Sequence, residues 1–290
     1  MSAPLLFRPS PDAVYGFPHA KRVAHVDSPF QRIEVWDTPQ LGRLFTLDGR
    51  PMASAGDEFI YHECMVHPAA LAHPSPQAAL VLGGGDGGAA RQLLRHAGIE
   101  RIVVAELDAE VVRLTREHLP EVHGGAFDDP RVELVIGDAA HYVEAAAPAQ
   151  FDLVVFDLTP PDSPAAGLYT QAFYQQLKRI ISPTAAVSVH LGSPYFHAER
   201  IARLLGDLRA AFAIVRTMST FIPLYGSLWM MATASDTLDP AALTADTLAA
   251  RLAARQIDDL MHYDTAMHAG LFSASRSVRD KLSQFLKPAS

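Results

Sequence analysis

The sequence predicts an α/β protein in which a small antiparallel β domain precedes a doubly wound, mainly parallel sheet. Short β-like segments before residue 57, interrupted by Pro, Gly and Asp, indicate the β domain. Beyond residue 77, short and continuously apolar segments alternate with longer helical ones, which is typical of parallel strands joined by helices. We therefore predict two domains, residues 1–74 with a connecting helix and residues 75–290.

The first domain should be built on QRIEVWDT and LGRLFTLDGR, with a hairpin turn at Asp48-Gly49. A short helix over DEFIYHECMVHPAALAHP follows, and HPSPQ at 73–77 has the composition of a linker. Strands of the second domain are predicted at AALVL, RIVVAEL, RVELVI, FDLVVFDL and AAVSVH. FAIVRTM and SLWMMATA follow one another across a turn, so the sheet should finish on an antiparallel pair, and residues 240–290 should be mainly helical.

Composition narrows the class of protein. With 290 residues, 49% of them hydrophobic, the chain can bury a large core, and its one cysteine, Cys64, is expected to be a buried structural thiol in a reducing compartment. The N-terminus lacks a signal-peptide pattern and no apolar stretch is long enough to span a membrane, so we expect a cytoplasmic protein with no membrane partner. A net charge of -8 argues against nucleic acid and is compatible with cationic ligands.

Three acidic positions, Asp86, Glu106 and Asp138, indicate a nucleoside site. The strand AALVL leads into the loop Gly83–Gly88, which precedes a helical segment, and glycine allows the backbone to turn tightly and approach a ligand. Glu106 ends the second strand, where a carboxylate can bind ribose hydroxyls, and Asp138 follows the third strand, where it suits an adenine amino group. Each acid alone could be a helix cap, but capping does not explain the whole set.

Asp86, inside the glycine loop, distinguishes between nucleosides. Its carboxylate would repel the pyrophosphate of a dinucleotide and attract the ammonium end of a cationic sulfonium compound. This argument disfavours dinucleotide binding.

These residues resemble the spermidine and spermine synthase family along almost the whole chain. The segments DEFIYHE, LGGGDGG, AELD, IGDA, FDLT, IPLYGS and HYDTAMHAGLF occur in the family's order and spacing. The resemblance implies a methyltransferase-like, Rossmann-type sheet with a small N-terminal β domain that often mediates homodimers or homotetramers. It implies aminopropyl transfer from decarboxylated S-adenosylmethionine to a polyamine, with release of 5′-methylthioadenosine and no metal.

The resemblance also assigns roles to individual residues. Asp157 resembles the family's catalytic acid, with Tyr61 helping to hold the attacking nitrogen. His62 is expected near the donor, with the alternative that it is a surface histidine without a role. The resemblance implies donor contacts from Gln31, Asp86, Glu106, Asp138 and Ala139. The glycine loop adds Gly83 and Gly85 to the expected donor site. Acceptor contacts are expected from Tyr61, Asp157, Asp162, His190 and Tyr225.

The chain departs from the family pattern beyond Asp157. Family members that use putrescine usually read D-[SC]-[ST]-D-P here, whereas this chain has Pro160 where the second aspartate would hold the distal ammonium. Asp162, two residues further on, is a candidate substitute, and His190 stands where glutamine or asparagine is common. The acceptor is therefore open: spermidine or another amine other than putrescine is favoured.

The stretch LTPPDSPAAGLYT is expected to close over the substrates, although it is also compatible with an ordinary rigid loop. Two alternative functions remain. An S-adenosylmethionine-dependent methyltransferase would share the sheet and the nucleoside acids, but Asp86 would repel the carboxylate of intact S-adenosylmethionine. A catalytically silent polyamine-binding protein would not need Asp157 together with Tyr61 and Tyr225.

Overall fold

A computed structural model describes residues 4–286. The N-terminal part contains a two-stranded hairpin, β1 and β2, followed by a four-stranded antiparallel sheet in the order β3-β4-β5-β6. The strands are β1 Leu5–Ser10, β2 Ala13–Phe17, β3 Lys21–Asp27, β4 Arg32–Thr38, β5 Gly42–Leu47 and β6 Arg50–Ser54. The antiparallel β domain is confirmed, and the hairpin β1-β2 was missed by the sequence analysis.

The predicted turn at Asp48-Gly49 joins β5 to β6. Both residues have positive φ, 50° and 75°, as a tight two-residue hairpin turn requires. Asp48 also accepts a hydrogen bond from the backbone N–H of Arg32 at 2.9 Å, which ties the turn to β4.

A seven-stranded sheet in the order β12-β13-β11-β10-β7-β8-β9 forms the larger part of the molecule. Its strands are β7 Ala78–Gly83, β8 Arg101–Glu106, β9 Val132–Ile136, β10 Phe151–Asp157, β11 Ile181–Gly192, β12 Ile214–Ile222 and β13 Ser227–Ser235. Strands β7 to β11 pair in parallel, whereas β13 is antiparallel to both β11 and β12. Every predicted strand is present, and the antiparallel ending is confirmed.

Helices cover both faces of this sheet, as the alternating pattern predicts. They are α1 Glu58–Ala72, α2 Gly88–Leu94, α3 Ala109–His118, α4 Pro120–His123, α5 Ala139–Ala145, α6 Gln171–Ile180, α7 Ala198–Ala211, α8 Ala245–Ala254, α9 Thr265–Leu271 and α10 Arg276–Ser283. Two hydrophobic clusters, one on each face, contain the buried residues of β7, β8, β10 and β11. No helix between residues 4 and 286 combines the length and the apolar composition that crossing a membrane would need.

Helix α1 connects the two sheets and is buried on nearly every side. Its Cys64 is fully buried, as predicted, and burial raises the pKa of that thiol. Glu63 accepts hydrogen bonds from three successive backbone N–H groups, those of Met261, His262 and Tyr263, at 2.8–2.9 Å. The motif HYDTAMHAGLF is thereby held against the helix that carries Tyr61 and His62.

Candidate active site

The glycine loop lies between β7 and α2, against the end of β10. Gly83, Gly84 and Gly87 have φ values of 75°, 76° and 77°, a conformation that glycine adopts without strain. A Cβ at Gly83 would lie 2.3 Å from the backbone oxygen of Asp157, and Gly84 N–H donates a hydrogen bond to that oxygen at 2.9 Å. The glycines therefore let the loop approach the strand that ends in Asp157.

Two buried carboxylates lie in and beside the loop. Glu106, at the end of β8, accepts hydrogen bonds from the N–H groups of Gly85 at 3.1 Å and Asp108 at 2.9 Å. Asp86 accepts one from Gly88 N–H at 2.9 Å. Burial raises the pKa of Glu106 to about 7 and that of Asp86 to about 6, because the charged form loses water.

Asp138 and Gln31 approach the same edge from different elements. Asp138 caps α5, because its carboxylate accepts a hydrogen bond from Ala140 N–H at 2.8 Å. A helix cap is therefore part of its role. The residue is also exposed and lines the cleft. Gln31 precedes β4, and its Nε2 donates to Asp108 Oδ2 at 3.1 Å. This bond brings a side chain of the N-terminal part to the edge of the larger sheet.

His62 is the centre of a buried acidic cluster. Its Nδ1 is bonded to Glu58 Oε2 at 2.6 Å, while its Nε2 lies 3.6 Å from both Asp86 Oδ1 and Asp157 Oδ2. Burial lowers the pKa of His62, but Asp86, Asp157 and Glu58 outweigh that effect and raise the pKa well above its usual value. His62 is 1% exposed, so the alternative of a surface histidine is wrong.

Tyr61 and Tyr225 form an aromatic wall next to Asp157. Their rings are 6.2 Å apart in an edge-to-face arrangement, and Tyr225 packs on Trp229 with ring centroids 4.4 Å apart. The hydroxyl of Tyr225 donates to Met52 O at 2.8 Å, which fixes its orientation. Burial raises the pKa of Tyr61 well above its usual value, and the charge of Asp157 acts in the same direction.

His190 lies behind this wall and is held in one orientation. Its Nε2 is 2.8 Å from both Leu158 O and the hydroxyl of Tyr169, and its ring stacks on Trp229 at 6.1 Å. Burial and the nearby charge of Arg200 lower the pKa of His190 to about 4, so it is neutral at pH 7.

The segment after Asp157 covers the cleft, with a short 3-10 helix over Pro164–Tyr169. Asp162 lies in it, and its carboxylate is paired with Arg50, whose Nη1 and Nη2 donate at 2.9 and 3.2 Å. The segment after β10 and the N-terminal sheet are therefore joined across the cleft by a bidentate ion pair.

All predicted site residues line one cavity of about 530 Å³ at the carboxyl edge of the sheet. These are Gln31, Tyr61, His62, Gly83, Gly85, Asp86, Glu106, Asp138, Ala139, Asp157, Asp162, His190 and Tyr225. Sequence reasoning missed further cavity residues, chiefly Arg50, His197, Arg200 and Trp229. No local motif marks these four, because each reaches the cavity only through tertiary packing. The roles assigned to the predicted residues remain predictions.

Fold and cleft together define a methyltransferase-like α/β enzyme with an acidic pocket beside its glycine loop. The chain belongs to the spermine/spermidine synthase family: the family model "Spermine/spermidine synthase domain" matches residues 58–244. It is an aminopropyltransferase.

The sequences and structures of similar proteins match this chain over most of its length. A polyamine aminopropyltransferase of Nitrosomonas europaea is 44% identical, the match covering 95% of this chain and 84% of that protein. Polyamine aminopropyltransferase 2 of Hyperthermus butylicus is 38% identical, with 88% and 84% covered. A spermidine synthase solved with the transition-state analogue AdoDATO superimposes with a TM-score of 0.85 at 28% identity, covering 94% of this chain and 91% of that one. The spermidine synthase of Thermotoga maritima gives 0.84 at 29% identity, covering 94% and 90%.

Proposed function

We propose that this aminopropyltransferase uses decarboxylated S-adenosylmethionine as donor and transfers its aminopropyl group to an amine, releasing 5′-methylthioadenosine. The observation that carries the proposal is the acidic pocket, in which Asp86 and Asp157 both lie 3.6 Å from His62 Nε2 beside the glycine loop. Glu106 and Asp138, on the same edge, are proposed to bind the ribose and the adenine, and Gln31, His62, Gly83, Gly85 and Ala139 complete the donor site.

Charge supports the decarboxylated donor. Decarboxylated S-adenosylmethionine ends in an ammonium group, which Asp86 attracts, whereas intact S-adenosylmethionine adds a carboxylate that the buried carboxylates repel. His62 is proposed to balance the remaining negative charge, since its raised pKa keeps it protonated and Glu58 fixes its ring.

The chemical step needs alignment and the removal of one proton. The amine lone pair attacks the carbon next to the sulfonium, a C–N bond forms, and the electrons of the breaking C–S bond neutralise the sulfur. An aliphatic ammonium has a pKa near 10.4, so the attacking nitrogen must first lose a proton. Asp157 is the proposed acceptor, because its Oδ2 is buried without a hydrogen-bond partner among the described residues, and Tyr61 holds the nitrogen.

We further propose that the preferred acceptor is an amine other than putrescine. Pro160 supplies no carboxylate for a distal ammonium, and Asp162, the candidate substitute, is already paired with Arg50. Tyr225 and His190 are proposed to line the path of the acceptor. A cytoplasmic location and a homodimer or homotetramer complete the proposal.

Donor choice provides the direct test. We expect decarboxylated S-adenosylmethionine to bind far more tightly than S-adenosylmethionine by calorimetry, because only the former matches the charge of Asp86. Mass spectrometry of reactions with each donor and a panel of amines should show aminopropyl adducts and 5′-methylthioadenosine. Equal affinity for the two donors, or a methylated amine as product, would instead support a methyltransferase.

Removal of metal gives a second test. His62, Asp86 and Asp157 each offer a ligand atom, and these atoms lie within 4.8 Å of one another, so the residue types would suit a cation. We expect full activity after dialysis against EDTA, because the ammonium group of the donor is proposed to occupy the same negative pocket. Loss of activity that Mn²⁺ or Zn²⁺ restores would contradict this.

A further inference from the structure

The backbone around Asp157 is held by hydrogen bonds from outside β10. Gly84 N–H, in the glycine loop, donates to Asp157 O at 2.9 Å. On the neighbouring strand β11, His190 Nε2 lies 2.8 Å from the next carbonyl oxygen, that of Leu158. A carbonyl oxygen can only accept, and the His190 ring is neutral, so its one N–H is at Nε2 and donates to Leu158 O.

Tyr169 holds the third carbonyl in this series. Its hydroxyl donates to Thr159 O at 3.1 Å, and its oxygen lies 2.8 Å from His190 Nε2, where it can share the ring hydrogen with Leu158 O. The carbonyl groups of residues 157–159 are thus all bonded, each by a group from a different element. We refer to Tyr169 and His190, which are also bonded to each other, as the clamp.

The clamp is packed tightly, and half of it lies outside the cavity. The ring of His190 stacks on Trp229 with the two planes 14° apart, and the ring of Tyr169 packs on Phe156 with centroids 5.9 Å apart. Tyr169 is 3% exposed, and the described residues that line the cavity do not include it. Its hydroxyl therefore affects the reaction only through the groups that it holds.

Asp157 depends on its backbone for its position. Within residues 4–286 no hydrogen-bond partner reaches its Oδ2, and His62 Nε2, at 3.6 Å, lies beyond hydrogen-bond distance. Side-chain bonds therefore do not fix this oxygen. A proton acceptor must be closely aligned with the reacting nitrogen, and a misplacement of about 1 Å can lower the rate about 10²-fold.

We propose that Tyr169 and His190 are positioning residues for aminopropyl transfer, which hold the peptide groups after Asp157 and so keep its carboxylate in line with the attacking nitrogen. This role depends on the proposed function, in which Asp157 accepts the proton. It adds no chemical step, because neither side chain of the clamp exchanges a proton with the substrates. His190 has this role in addition to lining the path of the acceptor.

Tyr169→Phe removes the hydroxyl and keeps the ring. With decarboxylated S-adenosylmethionine and the amine that the enzyme turns over fastest, kcat should fall about 10–100-fold. The dissociation constant of the donor, measured by calorimetry, should change little, because the acids proposed to bind it lie on other elements.

Tyr174→Phe is the matched control. Tyr174 lies on α6, is fully buried, and packs on the same Phe156 with centroids 5.8 Å apart. Its hydroxyl has no hydrogen-bond partner among the described residues, so the same substitution breaks no bond there. It should leave kcat unchanged.

A double variant shows whether Tyr169 acts through Asp157. If it does, adding Tyr169→Phe to Asp157→Asn should lower kcat no further, since the carboxylate that the clamp holds is already gone. His190 gives an independent measurement. Glutamine can offer an amide N–H to Leu158 O and leucine cannot, so His190→Gln should keep most of the kcat that His190→Leu loses.

The same loss of kcat from Tyr169→Phe with and without Asp157→Asn would overturn the inference. A lower melting temperature of Tyr169→Phe with unchanged kcat would do the same and leave Tyr169 a structural residue. Melting temperatures identify any variant that fails to fold, and the two His190 variants then decide. If the unaltered protein released no 5′-methylthioadenosine with any amine, the proposed function itself would fail, and the role of the clamp with it.

Discussion

Asp157→Asn is expected to lower kcat by about 10²–10⁴-fold, the usual effect of losing a positioned base. The amide has the shape of the carboxylate but cannot accept a proton at neutral pH. Oδ2 of Asp157 has no hydrogen-bond partner among residues 4–286, so the substitution breaks no protein hydrogen bond at that atom. Steady-state kinetics at saturating donor and acceptor measure the change.

Two controls separate proton transfer from structural damage. Donor affinity measured by calorimetry should change far less than kcat, since the amide keeps the contact surface. Asp152→Asn makes the same substitution at the other end of β10, where Asp152 accepts hydrogen bonds from Gln77 N–H and Ser182 Oγ. It should lower the melting temperature and leave kcat largely intact. Near-normal turnover of Asp157→Asn would reduce Asp157 to a structural residue at the strand end.

The sheet could be predicted because its signal is local. Continuous apolar segments such as AALVL and FDLVVFDL identify buried parallel strands, and their order along the chain decides which edge the following acids share. The hairpin of β1 and β2 was missed because Pro9, Pro11 and Gly16 interrupt two short strands and resemble a loop.

The site was predictable only where it follows from strand ends or motifs. Glu106 ends β8 and Asp138 lies two residues after β9, so the fold alone brings them together. The surroundings of His62 depend on how α1 packs beside the glycine loop, and a Cβ at Gly88 would lie 2.2 Å from His62 Cε1. Nothing in the local sequence indicates that contact. Arg200, on an amphipathic helix with other arginines, likewise has the pattern of an ordinary surface residue.

Asp86→Asn is expected to weaken the binding of decarboxylated S-adenosylmethionine about 100-fold, because losing one partner of a buried charge pair costs about 2–3 kcal/mol or more. Asparagine can still accept the hydrogen bond from Gly88 N–H, so the loop should keep its conformation. Affinity for intact S-adenosylmethionine should hold or improve, since a repulsive carboxylate is gone. The ratio of the two dissociation constants, measured by calorimetry, is the readout.

Asp138→Asn is the matched control for this ratio. The proposed contact of Asp138 with adenine is common to both donors, so its loss should weaken the binding of both donors equally. The pH dependence supplies an independent check. The pKa of Asp86 is raised to about 6 by burial, so acidification below pH 6 protonates it and should reduce the preference of the unaltered enzyme for the decarboxylated donor. In Asp86→Asn that pH effect should disappear. An unchanged ratio in the variant would mean that another group, with Asp157 the nearest acid, distinguishes the two donors.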